Sequence, residues 1–244
     1  DASLLFPTHV LDRDYTAITG DAVWIVSANG GAFVTAVATE DDTYVTFYPT
    51  PGVEMYPGNN VAVLNRGETF TMISNALPNI FTPPPGAGNL SGTRVEADKP
   101  VAVFSGNVCS FEPTPMDDCC CDHLEHQMLP LLAWGREYLV TRAAPASESE
   151  PDDVRVRLVG SFDDTVLEYS PAQPPGAPGV INAYETAVFT TSSSFSVRAE
   201  QPFAAAQFLM SNEAVTNDPT PESPDDNFFS GDPAMILLPP VAQF

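Results

Sequence analysis

Twenty-five prolines in 244 residues constrain this chain more than any other feature. Each fixes φ and removes a backbone donor, which argues against a helical protein. Between the prolines lie short β-branched or aromatic runs, several alternating with period two. VRVRLV puts Val154, Val156 and Leu158 on a face predicted to be inward, and Arg155 and Arg157 on a face predicted to be outward. The same period places Val45 and Phe47 inward in TYVTFY, and Phe195, Val197 and Ala199 inward in SFSVRA. Turn signals separate the runs, among them Asn29-Gly30-Gly31, Pro51-Gly52, Pro57-Gly58, Pro83-Pro84-Pro85-Gly86 and Pro174-Pro175-Gly176. Many short strands punctuated this way predict an all-β fold of sandwich or barrel type. The one helix-compatible stretch, DHLEHQMLPLLAW at 122–134, is cut short by Pro130.

Nine basic and 32 acidic residues give a net charge of −23. Lys99 is the single lysine, and without clustered cations neither nucleic acid nor an anionic membrane surface is a suitable partner. No apolar run approaches the roughly 20 residues of a membrane span, so no membrane insertion is expected. At 43% hydrophobic residues the chain is too apolar to be disordered. Five Asp-Asp pairs, such as Asp41/Asp42 and Asp163/Asp164, fall beside turns and read as solvated surface. Calcium is the sharper reading of so many carboxylates, but no D-x-[DN]-x-[DN]-G loop occurs. The chain opens at Asp1 without a signal peptide, which suggests a fragment of a longer polypeptide.

An internal similarity organises the rest. Residues 32–49 align with 153–171, matching Asp41-Asp42-Thr43 to Asp163-Asp164-Thr165. Residues 64–74 then align with 181–191, placing Glu68-Thr69 on Glu185-Thr186, and 93–107 align with 195–212. WIVSA from Trp24 answers YLVTRA from Tyr138. Four ordered matches predict a duplicated β-unit of about 100 residues. The expected organisation is a first β-unit at 1–112, a short helical and Cys-rich connecting segment at 113–133 and a second β-unit at 134–212. An acidic, proline-rich linker at 213–244 would end in the start of a further strand or unit, because MILLPPVAQF resembles QMLPLLAWGREY.

All four cysteines (Cys109, Cys119, Cys120, Cys121), with His123 and His126, fall in one short segment. In an oxidising compartment Cys109 would pair with Cys119, Cys120 or Cys121 and pin the segment; four cysteines allow three connectivities. The competing reading is a metal, zinc by default, held by His123, His126 or Asp122, although three consecutive cysteines suit a tetrahedral site poorly. On a helix His123 and His126 would share a face, with Glu125 in support. No cofactor is otherwise called for, and calcium and zinc are the ions these residue types could take. No G-x-S-x-G elbow, phosphate loop or dinucleotide fingerprint is present.

The runs KPVAVFSGNVCSFEP, CDHLEHQMLPLLAWGREYLVT and DPAMILLPPVAQF resemble the N-terminal domain of the IgG Fc-binding protein family. The family's motif falls on Cys109, on Cys121-Asp122-His123-Leu124 with Gln127 and Pro130, and on Trp134-Gly135 with Tyr138. The resemblance implies a disulfide involving Cys109 and Cys121, with Cys119 and Cys120 as additions to the pattern. His126 stands where the family has glutamate. It implies a secreted or surface protein of β architecture whose role is adhesion or binding, not catalysis. The acidity and scarcity of lysine resemble a bacterial surface protein more than an animal mucin component. The leading expectation is a non-enzymatic extracellular binding module with a protein or glycan ligand, contacted by exposed loops at 49–60 and 77–90. A metal-dependent or carbohydrate-active hydrolase using Asp122, His123 and His126 is the rival. A spacer in a surface fibre, with self-association, is the third.

Overall fold

The structure, a computed structural model, describes residues 3–25, 28–74, 88–112, 121–142, 153–211 and 233–243. The fold is all β. In chain order its strands are β1 (Asp12–Thr16), β2 (Val23–Ile25), β3 (Ala28–Gly30), β4 (Ala32–Ala38), β5 (Thr43–Tyr48), β6 (Met55–Tyr56), β7 (Val61–Leu64), β8 (Thr69–Ser74) and β9 (Arg94–Ser110). There follow β10 (Asp122–Gln127), β11 (Gly135–Val140), β12 (Val154–Gly160), β13 (Thr165–Val166), β14 (Glu168–Ser170), β15 (Val180–Ile181), β16 (Thr186–Thr191), β17 (Phe195–Leu209) and β18 (Ala234–Leu237). The helical content among the described residues is three short 3-10 turns, at Thr8–Val10, Leu131–Ala133 and Val241–Gln243.

Two long strands organise two antiparallel sheets. β9 carries β4 and β5 along one edge, and β1 and β10 along the other. β17 is flanked in the same way by β12 and β14, and by β11 and β18. The same side-chain contacts recur. Tyr15 donates its hydroxyl to the Val101 carbonyl at 2.7 Å and accepts from the Asp12 N–H. Tyr138 donates to the Phe203 carbonyl at 2.6 Å and accepts from the Gly135 N–H. Burial pushes both phenols up to about 12. By these contacts β11 corresponds to β1, which corrects the match of Tyr138 with Trp24.

Alternation decides the cores. Val34, Ala36, Val45, Phe47, Val95 and Val103 are buried on one face of the first sheet. Val154, Val156, Leu158, Val197 and Phe203 fill a separate core in the second half. The opposite face of the second sheet is not solvent-exposed. Val159, Ala204, Ala206 and Phe208 join the first core, together with Met235 and Leu237 from β18. Arg155 and Arg157, expected in water, lie on that covered face; Arg157 is fully buried. The alternation was read correctly, but the sequence does not reveal what packs on the second face.

The helix-compatible stretch is also corrected. Residues 122–127 form β10, because β9 offers a free edge there and the backbone polar groups are better satisfied by pairing than by one isolated turn. Pro130 then precedes the turn at Leu131–Ala133. Residues 122–127 thus belong to the first sheet and do not form a helical connector. Residues 234–237, expected to open a further strand or unit, supply β18 to the second sheet.

Candidate functional site at the junction of the two halves

Four charged side chains meet where the halves touch. Arg157 places Nη2 3.1 Å from Asp21 Oδ1 and 3.2 Å from Glu112 Oε1. Arg155 places Nη1 3.1 Å from Glu112 Oε2 and Nη2 3.6 Å from Asp21 Oδ2. The guanidinium of Arg157 also lies over the Phe208 ring, 4.8 Å from its centroid. Strand β12 positions both arginines at i, i+2 on one face, whereas Asp21 and Glu112 come from segments flanking the first sheet. Asn89 donates to Asp21 Oδ1 at 2.7 Å, and Glu112 is held by reciprocal backbone and hydroxyl bonds with Ser211. Burial raises the Glu112 carboxyl above its ordinary 4.5, against the opposing pull of Arg157 and Arg155. Two carboxylates against two guanidiniums leave the buried cluster formally neutral, the condition under which charges are tolerated away from water.

Beside this quartet opens a cleft of about 1040 Å³ lined from both halves. Asp21 and Arg155 form part of its wall, joined by Tyr48 and Pro49 at the end of β5, by Pro51, and by Arg94 at the start of β9. The second half contributes Tyr184, Glu185 and Thr186 from the turn entering β16. The Arg94 guanidinium sits between two rings, 4.9 Å from the Tyr48 centroid and 4.8 Å from that of Tyr184. Glu96 pairs with Arg94. Gly92, at φ 90, lets the two halves approach closely: a Cβ there would lie 2.5 Å from the Tyr184 carbonyl oxygen. The volume suits a ligand site, and tyrosine and arginine are the side chains that dominate interface energetics.

The Cys/His segment lies elsewhere. Cys109 and Cys121 form a disulfide with Cα atoms 5.3 Å apart, stapling β9 to the entry of β10; Cys119 and Cys120 lie outside the described residues. His123 stacks on Phe33 with centroids 5.7 Å apart and places Nε2 3.6 Å from Glu125 Oε2. His126 Nδ1 lies 2.9 Å from the Gln127 carbonyl, and Asp122 Oδ1 accepts the His123 N–H. A strand, unlike a helix, sends residues three apart to opposite faces, so His123 and His126 are not brought together. No group of three His, Cys, Asp or Glu side chains suited to a metal occurs among the described residues.

The remaining motif residues take structural positions. Leu124 is buried in the first core, Gln127 binds the Phe6 N–H, Pro130 bridges to Tyr15, and Trp134 and Tyr138 are buried. Gly135 packs against Pro240. Of the loops expected to make contacts, 49–60 supplies Pro49, Thr50, Pro51 and Val53 to the cleft, and 77–90 supplies Asn89; residues 77–87 lie outside the described set. Sequence reasoning missed Asp21, Glu112, Arg94, Tyr48 and Tyr184. One signal was present: within the aligned halves Tyr184 occupies the place of Gly67.

A disulfide-stapled all-β protein built on two large sheets, with a cleft shared by its halves, is the class these features define. The chain belongs to the IgGFc binding protein family, whose model matches residues 1–244. It is similar to the IgGFc-binding protein of Homo sapiens, at 30% identity over 156 residues, 64% of this chain. The chain spans only 2% of that relative's length. No solved structure matches. No described helix is long and apolar enough to cross a membrane.

Proposed function

We propose that this chain is a non-enzymatic, extracellular module that binds a protein ligand in the cleft between two duplicated β-units. The carrying observation is the Tyr48–Arg94–Tyr184 stack, assembled from both halves beside a buried ion quartet that fixes their arrangement. Aromatic rings and arginine held on rigid elements bind with little loss of side-chain entropy. The family supports a protein ligand, since the human relative's name describes binding of IgG Fc. The disulfide supports an oxidising location, where such bonds persist. In this reading the halves share a core so that the cleft keeps its shape, and the protein serves adhesion or capture at a surface.

The test is biolayer interferometry of the purified chain against a panel of secreted and surface proteins, immunoglobulin Fc among them. At least one saturable ligand is expected, with binding weakened at least tenfold by Arg94→Ala. A panel that stays silent at the highest soluble concentration sinks the reading, as does a ligand whose binding ignores Arg94→Ala.

A further inference from the structure

Tyr184 is held in a backbone conformation that a bulky residue avoids. Its φ is 62, and its turn has a counterpart in the first half with the same hydrogen bonds. Gly67 N–H donates to the Ala38 carbonyl at 2.9 Å, and Tyr184 N–H donates to the Gly160 carbonyl at 2.8 Å. Asn65 N–H donates to Glu68 Oε2, and Asn182 N–H donates to Glu185 Oε2. Glycine occupies the left-handed position in the first turn at φ 82; tyrosine occupies it in the second. A side chain there is unfavourable, and one cation–π contact at a half-exposed site does not clearly offset it. Strain of this kind gathers where function holds it.

The surrounding polar groups say what the ring is for. Asn89 spends its amide on Asp21 and its carbonyl oxygen on the Ser91 N–H. The Ser91 hydroxyl is engaged with the Thr19 backbone, and the Thr50 hydroxyl with Ser91 and Thr93. Arg155 is committed to Asp21 and Glu112. These groups are therefore spent within the protein and are not offered to a sugar. The cleft lining includes the rings of Tyr48, Pro49, Pro51 and Tyr184, and one buried hydroxyl, Thr186 Oγ1, with no partner. Aromatic and proline rings beside an unpartnered hydroxyl suit an extended polypeptide segment. The net charge of −23, with Arg94 neutralised by Glu96, sets the complementary sign of that segment.

We propose that the cleft takes an extended segment of a protein partner, bearing proline or aromatic residues flanked by Lys or Arg, and that Tyr184 is a contact residue kept at the expense of backbone strain. This deepens the protein-binding reading and rests on it. The probe is an array of 15-residue peptides varying proline, aromatic and basic content independently, tested against the full chain. Peptides carrying all three features are expected to bind, more weakly as salt rises. Tyr184→Gly is expected to lose at least tenfold in affinity with no fall in melting temperature, whereas Tyr184→Phe retains binding. Tyr184→Asn, which tolerates the same φ, serves if the glycine variant fails to fold. A silent array, glycans binding in place of peptides, or undiminished binding by both Tyr184→Gly and Tyr184→Asn overturns the proposal. A protein ligand that binds the chain but is not displaced by any array peptide overturns this inference alone, whereas the absence of any protein ligand removes the underlying reading as well.

Discussion

The two halves of the molecule repeat one another's backbone contacts and differ in what three of their corresponding positions carry. On β4 the aligned positions are Phe33 and Thr35; on β12 they are Arg155 and Arg157. Thr35 hydrogen-bonds Thr71 on its own sheet, whereas Arg157 reaches into the other half. At the turn before β8 the left-handed residue is Gly67, and before β16 it is Tyr184. What the halves share is what builds a sheet; what the second half alone carries faces the junction. The difference separates residues that serve folding from residues that serve the relation between halves.

The largest expected effect breaks that relation directly. Arg157→Ala leaves the two carboxylates of Asp21 and Glu112 with Arg155 as the remaining guanidinium of the quartet, and uncompensated buried charge costs about 3–5 kcal/mol. Thr35→Ala, at the aligned position, should cost under about 1.5 kcal/mol, the net worth of one hydroxyl bond. Urea denaturation of both variants checks the contrast, and equal losses would end it. The Glu112 carboxyl sharpens it by pH. Its pKa is raised on folding, so its contribution is complete below the ordinary 4.5 and is lost as pH rises through the folded value. Glu112→Gln should remove that downward slope from a stability–pH curve.

The disulfide is the next contrast. Cys109 is joined to Cys121 across 12 residues, whereas just beyond the end of β17 it is Ser211 that holds Glu112. The double variant Cys109→Ser, Cys121→Ser should lose about 2–4 kcal/mol, chiefly because the unfolded chain is no longer closed. Hydrogen exchange should show the loss greatest along β9 and β10. Uniform loosening of both sheets would mean that the staple serves the whole molecule.

The all-β class was legible because periodicity names the faces of a strand without any knowledge of neighbours, as at Val154, Val156 and Leu158. The family was legible in the segment from Cys109 to Tyr138. The strand at 122–127 was not, because Leu124 and Gln127 are three apart and mimic helical spacing; the free edge of β9 that captures them is a tertiary fact. The burial of Arg157 was hidden for the same reason. Alternation told that it opposed Val156, and nothing local told that another sheet would cover it. Tyr48, Arg94 and Tyr184 are distant in sequence and ordinary in type, so only the folded chain assembles them.

Tyr15→Phe and Tyr138→Phe test what the halves share. Each leaves a buried carbonyl, Val101 or Phe203, without its phenol donor, at about 1–2 kcal/mol. The two losses should be similar if the sites are equivalent, and the double variant should lose their sum within about 0.5 kcal/mol, as distant sites usually add. Both phenols are raised from 10.0 to about 12, so their stabilisation holds below pH 10 and fades as pH rises through 12. Each variant should blunt that alkaline fall.

The smallest effect is the most diagnostic. A Cβ at Gly67 would meet no atom within 4 Å, so Gly67→Ala isolates the backbone penalty of a left-handed φ, about 1 kcal/mol. Tyr184→Gly runs the change in reverse. It relieves about 1–2 kcal/mol of left-handed strain, gives up about 0.5–1 kcal/mol of contact with Arg94, and adds a similar amount of unfolded-state entropy. The net change in stability should therefore lie near zero, measured by urea denaturation beside Gly67→Ala. A loss above about 2 kcal/mol would make Tyr184 a structural anchor, its ring needed to hold the halves together. A near-zero result leaves the fold with no use for a tyrosine at that position, and the strain is then explained by what enters the cleft.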